Sequence, residues 1–183
     1  MIITLSGVPG AGKSTIKALL AERLGYKAHS MGDMRGEMAK ARGLTIDELN
    51  TLGMNEIFTD QEADEFQAEL GRKEDNFVID GWLSWHFIPQ SFKVFLTVDP
   101  LIGAERIFTD RKNNPKRADE PHYQSVAETL KILESRVKQT DERYQKWYQV
   151  QFLDPANYDL VIDTSSLTDS EVLGQILGAL PKA

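Results

Sequence analysis

The chain has 183 residues, with 21 basic against 28 acidic side chains and a formal net charge of −7. That length suits one domain, large enough to bury an ordinary core without covalent staples. There is no cysteine and the three histidines, His29, His86 and His122, are scattered, which excludes a disulfide framework and argues against a zinc site. The acidic balance speaks against a general nucleic-acid binder, which carries a basic excess. The apolar start, Met1 to Leu5, is short and lacks a basic flank, so it does not read as a signal peptide. No stretch approaches the ~18 apolar residues of a membrane span. A cytoplasmic monomer, with neither membrane nor nucleic-acid polymer as partner, is the expectation.

In chain order, residues 2–6, 76–80, 93–98 and 159–163 are short apolar runs rich in β-branched or aromatic types, which predicts buried strands. Residues 26–30 make a weaker fifth. Near-continuous apolarity, rather than alternation, fits strands covered on both faces of a parallel sheet. Helices are predicted between them. Ile16, Leu19, Leu20 and Leu24 share a helical face over 13–24, with Gly25 as the stop. Thr45 and Glu48 open a short helix after Gly43, and another is expected over 60–70. A helix over 101–109 precedes a long one over 125–148, opened by Ser125 and Glu128, with Val126, Leu130, Leu133 and Val137 on one stripe. Thr168 and Glu171 open the last helix. Strands alternating with helices make a three-layer α/β domain.

Charge is unevenly spread. Residues 47–80 hold eleven acids and two bases, whereas 106–117 hold Arg106, Arg111, Lys112, Lys116 and Arg117 against Asp110 alone. Such runs usually form solvated faces.

Gly7-Val8-Pro9-Gly10-Ala11-Gly12-Lys13-Ser14 matches G-x-x-x-x-G-K-[ST] without a gap and stands between a predicted strand and a predicted helix. Glycines let the backbone wrap a phosphate with its amides, and the helix starting near Lys13 aims its positive end at the same anion. Lys13 reaches the β- and γ-phosphates of a nucleotide such as ATP, and the Ser14 hydroxyl binds Mg²⁺. The pattern arises by chance in about one in a hundred chains this long, so the context makes nucleotide binding the reading. Such an enzyme also needs an acid for the metal. Asp80 closes a strand before Gly81, and Asp33 follows another; the alternatives are a turn cap for Asp80 and a helix N-cap for Asp33. Asp99 and Asp163 also close strands but precede ordinary turns, and are read as structural.

Phosphoryl transfer works by positioning and by neutralising charge on the moving group. Arginines suit that role because they stay charged and bind phosphate with two parallel donors. Arg106 and Arg111 lie in the basic segment, and Arg136 and Arg143 stand seven apart on the long helix; surface ion pairing is the alternative for the latter two. Residues 109–124, broken by Pro115 and Pro121, suit a lid.

On these motifs the sequence resembles the P-loop nucleoside monophosphate kinases, and within them the cytidylate kinase-like branch of archaeal type. The matching stretches are 1–15, 31–50, 77–85, 104–111, 135–148 and 158–168. The resemblance implies a P-loop fold with a five-stranded parallel sheet in a core of 1–30, 76–108 and 125–183. It also implies a monophosphate-binding region at 31–75 and a lid near 109–124. The activity it implies is Mg²⁺-dependent transfer of the ATP γ-phosphoryl to a nucleoside monophosphate, CMP or dCMP foremost. Carried over by position, Gly7, Gly10, Ala11, Gly12, Lys13, Ser14, Thr15 and Arg106 hold ATP, and Thr164 and Ser165 lie near the adenine. Lys13, Arg106, Arg111, Arg136 and Arg143 act on the transferring phosphoryl. Asp33, Arg35, Asp64, Gln67, Asp80, Gly81 and Trp82 face the acceptor, while Ser14, Asp33 and Asp80 serve the metal. Two positions depart from the pattern: Gly36 and Trp82 stand where such kinases commonly carry arginine for the acceptor phosphate. Arg35 is a substitute for one; Trp82 either stacks on a base or packs among Trp85 and Phe87. A different small-metabolite acceptor, or a nucleotide-binding module with little turnover, are the other readings; the full arginine set opposes the second.

Overall fold

Five apolar runs form one parallel sheet in the computed structural model, which describes residues 1–53, 58–113 and 123–181. The strands are β1 (Ile2–Gly7), β2 (Lys27–Ser30), β3 (Phe77–Asp80), β4 (Phe92–Thr97) and β5 (Leu160–Asp163). Their order is β2-β3-β1-β4-β5, so β1 lies at the centre, with Leu5 opposite Asp80 on one side and Val94 on the other. β1 and β3 are buried along their whole length, as their unbroken apolar sequences require. The edge strands are more open, and Val161 of β5 is 42% exposed.

Because successive side chains on a strand point to opposite faces, neighbours serve different cores. Ile3, Leu5, Val78, Val94 and Leu96 meet Ile16 and Leu20 of α1 (Lys13–Leu24) and Val172 and Ile176 of α8 (Asp169–Ala179). Ile2, Phe77 and Ile79 face the other way, onto Met31, Met38, Leu49, Ala63 and Leu70 of α2 (Met31–Ala41), α3 (Ile46–Gly53) and α4 (Phe58–Lys73). Each such buried aliphatic side chain contributes about 1.5–3 kcal/mol. A third, aromatic cluster joins Leu83, Trp85, Phe95 and Phe152 to Trp82, Tyr144 and Tyr148. It gathers around α5 (Ser84–Phe87) and α7 (Val126–Tyr148), and α7 packs in turn on α6 (Pro100–Asn113) through Ala104, Ile107 and Leu133. Among the described residues no helix is long and apolar enough to cross a membrane.

Helix ends follow the sequence signals in most places. Gly25 closes α1 in a left-handed conformation, its amide bonded back to Ala21 and Glu22. The capping boxes close reciprocally at Thr45 with Glu48 and at Thr168 with Glu171. At α7 the box is half formed: Ser125 Oγ accepts the Glu128 amide, but the Glu128 carboxylate takes the amide of Gln124 instead.

Three features differ from expectation. The helix predicted over 101–109 continues to Asn113, because nothing in 110–113 stops it before Pro115 restricts the residue preceding it. The first five residues of the expected lid are therefore the end of α6, and its 114–122 portion lies outside the described residues. Ser30, not Asp33, caps α2, its Oγ accepting the Asp33 amide at 3.3 Å; Asp33 stands in the first turn. α5 carries no sequence signal, since one turn is too short to show periodicity.

His29 of β2 sets its ring edge against Phe77, and its Nε2 is enclosed without a hydrogen-bond partner. Burial holds its pKa below the ordinary 6.5, against the opposing pull of Glu74. The unfolded chain therefore takes up this proton first, so the contribution is complete above 6.5 and is lost as pH falls toward the folded value. Urea midpoints measured across that window should decline with falling pH, and a His29→Asn variant should show a flatter profile.

Candidate active site

β1 ends at Gly7, and residues 8–12 turn back into α1. Gly10 adopts φ +79°, and a Cβ there would come 2.5 Å from Gly103 Cα and carbonyl oxygen in α6. Only glycine allows this approach. Gly12, at φ +87°, is the N-cap of α1 and offers no side chain, and the first turn holds no acidic residue. The amides of that turn are thus left to an anion rather than to a capping carboxylate. Lys13 Nζ donates to the carbonyls of Gly7 and Val8, each at 2.8 Å.

Arg106 braces this loop from α6. Its guanidinium donates to Gly10 O at 3.3 Å, to Thr164 Oγ1 at 3.2 Å and to Thr164 O at 2.8 Å. Thr164, 3% exposed, in turn lies 3.1 Å from the carbonyl of Thr97. The Ser165 carbonyl also accepts from Arg106, at 3.5 Å, while its hydroxyl accepts the Asp99 amide and donates to Asp163. That bonding lowers the pKa of Asp163, and Asp99 accepts from the amides of Leu101 and Ile102 at the start of α6. Both acids are structural, as read from their turns.

At the end of β3, Asp80 is 6% exposed. Its Oδ2 accepts from Ser14 Oγ and pairs with Lys17 Nζ, both at 3.3 Å, while Oδ1 is enclosed with no hydrogen-bond partner. Asp80 therefore does not cap its own turn. An orphaned carboxylate oxygen beside a hydroxyl suits Mg²⁺, which takes one or two protein oxygens and fills its remaining positions with water and phosphate. Among the described residues no group of three His, Cys, Asp or Glu could enclose a metal. Asp33 lines the same cleft, exposed, at the start of α2.

α7 supplies a further part of the lining. Arg136 lies over the Trp82 ring at 5.9 Å, and Arg143, only 4% exposed, over Tyr144 at 5.2 Å. Trp82 stacks on Phe152, centroids 5.1 Å apart and planes at 8°, in the cluster that also contains Trp85 and Phe87. From α4, Gln67 accepts the Ser84 hydroxyl through Oε1 at 2.6 Å, and Asp64 accepts the Tyr148 hydroxyl. One residue earlier on α7, Trp147 Nε1 donates to Gly53 O at 3.1 Å.

All these walls enclose one cleft of about 990 Å³ at the carboxyl ends of the strands, where the order reverses around β1 and α/β sheets bind ligands. The loop Gly10–Thr15, the turn Asp80–Trp82, Arg35, Asp64 and Gln67 all line it, as do Arg106, Arg136, Arg143 and Thr164. Gly7, Ser165 and Arg111 do not. Arg111 follows Arg106 by five positions, about 140° further around the helix.

The family model described as "AAA domain" matches residues 3–131. Over 167 residues the chain is 36% identical to a cytidylate kinase of Methanocella arvoryzae, covering 90% of this chain and 88% of that one. The chain belongs to the cytidylate kinase-like nucleoside monophosphate kinases. It is also 38% identical over 177 residues to an S-adenosylmethionine-dependent nucleotide dehydratase of Lacinutrix mariniflava, spanning 96% of this chain but 35% of that longer protein. Among solved structures, a shikimate kinase from Bacteroides thetaiotaomicron superposes with a TM-score of 0.65 at 16% identity, over 97% of each chain; that likeness concerns the fold.

Within this kinase frame, sequence reasoning passed over Lys17 and Tyr144, both on the cleft wall. Lys17 stands four residues after Lys13, the spacing that puts two side chains on one helix face, and that signal was available. Tyr144 had none. The loop packing itself is testable: Gly10→Ala should weaken ADP binding about tenfold or more, the equivalent of the 1–3 kcal/mol usual for overpacking, as read by calorimetry.

Proposed function

We propose that this kinase transfers the γ-phosphoryl of ATP to a pyrimidine nucleoside monophosphate, with CMP and dCMP preferred. The observation that carries the reading is one cleft lined both by the Gly10–Thr15 loop and by Arg136 and Arg143. A binding module would need the loop; it would not need those guanidinium groups in the same cleft. The region 31–75 would receive the monophosphate, and the segment after α6 would act as the lid.

The nucleophile is an acceptor phosphate oxygen, already anionic, so no general base is required. The γ-phosphorus–oxygen bond to ADP breaks as the bond to the acceptor oxygen forms. Lys13 would leave the carbonyls of Gly7 and Val8 to hold the β- and γ-phosphate oxygens. Arg136 and Arg143 would neutralise charge on the moving group in a cleft where it is poorly screened. Arg106 keeps the loop at its distance from the adenine side, near Thr164. Magnesium, held by Ser14 and Asp80 with Asp33 nearby, would supply further charge neutralisation on the phosphates.

Acceptor choice is supported by donors and acceptors on α4. Gln67, with Ser84 donating to its Oε1, carries N–H donors in its amide group. Asp64, three residues earlier and on the same helix face, carries only acceptors when ionised. That pair complements the O2, N3 and amino group of cytosine; uracil, with a donor at N3, is mismatched. The curated relative from Methanocella is named for cytidylate, and the longer Lacinutrix relative is named for a reaction on nucleotides.

Kinetics with ATP, Mg²⁺ and a panel of CMP, dCMP, UMP, AMP and GMP should rank the cytidine nucleotides first in kcat/KM. Gln67→Leu should narrow the gap between CMP and UMP. Equal use of UMP by the unaltered enzyme, or turnover only with a non-nucleotide, would overturn the acceptor assignment. Lys13→Ala should lower kcat about a hundredfold or more, the usual loss on removing a transition-state donor, with the thermal midpoint little changed.

A further inference from the structure

α1 carries two lysines on one face, and they turn in different directions. Lys13 folds back to its own loop, whereas Lys17 reaches across to β3 and stands 3.3 Å from Asp80 Oδ2. Both partners are largely enclosed, with the Lys17 side chain 12% and the Asp80 side chain 7% exposed. The same oxygen also accepts from Ser14. One edge of the carboxylate is thus occupied by a cation and a hydroxyl, and the other, Oδ1, is enclosed without a partner.

We infer that Lys17 is a tethered counter-ion of the metal carboxylate, which keeps divalent cations weakly bound at Asp80 until a polyphosphate adds its own charge. This rests on the reading of Ser14 and Asp80 as the metal's ligands. A buried carboxylate needs a partner of opposite sign, and Lys17 supplies one while the cleft is without nucleotide. A divalent cation approaching Oδ1 then meets a carboxylate already neutralised and an ammonium group repelling it. Phosphate oxygens reverse that balance, attracting both the metal and the ammonium. Metal and nucleotide therefore favour each other's binding, and by linkage the factor is the same in both directions. Lys17 is a positioning residue here: it acts through Asp80.

Mn²⁺ binding to the nucleotide-free protein, followed by the loss of the free-ion paramagnetic signal, reads this directly. Lys17→Met should bind Mn²⁺ about tenfold more tightly than the unaltered chain, matching the lower end of what one adjacent opposite charge does to a carboxylate's affinity for a proton. Lys17→Arg should retain weak binding, and Lys17→Gln gives a second neutral variant if the methionine form does not fold. With saturating ADP present, the difference between Lys17→Met and the unaltered chain should shrink. Adding Asp80→Asn to Lys17→Met should abolish the gain. Unchanged or weaker Mn²⁺ binding by folded neutral variants overturns the role of Lys17 alone. Undiminished binding by the double variant overturns Asp80 as the metal site and the inference with it.

Discussion

A phosphate-binding loop is a strip of backbone whose amides must stay turned toward an absent anion, and some other group must hold it in that posture. Arg106 does so. Its guanidinium spans from the Gly10 carbonyl to Thr164, and the Gly10 backbone lies directly on Gly103 one turn earlier in the same helix. α6 therefore fixes the loop twice, by a close backbone approach and by a charged brace. Thr164, reaching Thr97 as well, ties that brace to the ends of β4 and β5. The carboxyl ends of β1, β4 and β5 are thereby drawn into one rim, which carries the loop that holds Lys13 and Ser14.

Much of this frame was legible in the sequence. Apolar runs gave all five strands, and two of the three capping boxes closed as their spacing requires. Seven-residue spacing put Arg136 and Arg143 on one wall, for 3.6 residues per turn brings positions seven apart almost into line. The same periodicity, applied to Arg106 and Arg111, separates them. What the sequence withheld were partners remote along the chain. The indole of Trp82 could be assigned to a base or to the core, and its stacking partner, Phe152, lies seventy positions on. The spacing of Lys17 from Lys13 is visible in the sequence, but its partner, Asp80, lies at the end of β3, and only the fold brings the two together.

Trp82 illustrates how a neutral group can serve in a charged cleft. Its face receives the Arg136 guanidinium, an attraction that survives desolvation better than a hydrogen bond to water would. The Phe152 ring beneath it holds the indole plane fixed. An aromatic platform of this kind orients a cation without neutralising it, leaving its full charge for a phosphate.

Helix α7 spans 23 residues and is anchored near its carboxyl end by Trp147 to Gly53 and by Tyr148 to Asp64. The guanidinium groups of Arg136 and Arg143 ride on the same stiff rod. The helix that carries both positive charges is therefore joined by hydrogen bonds to α3 and α4, so these cleft walls are tied to one another rather than placed independently.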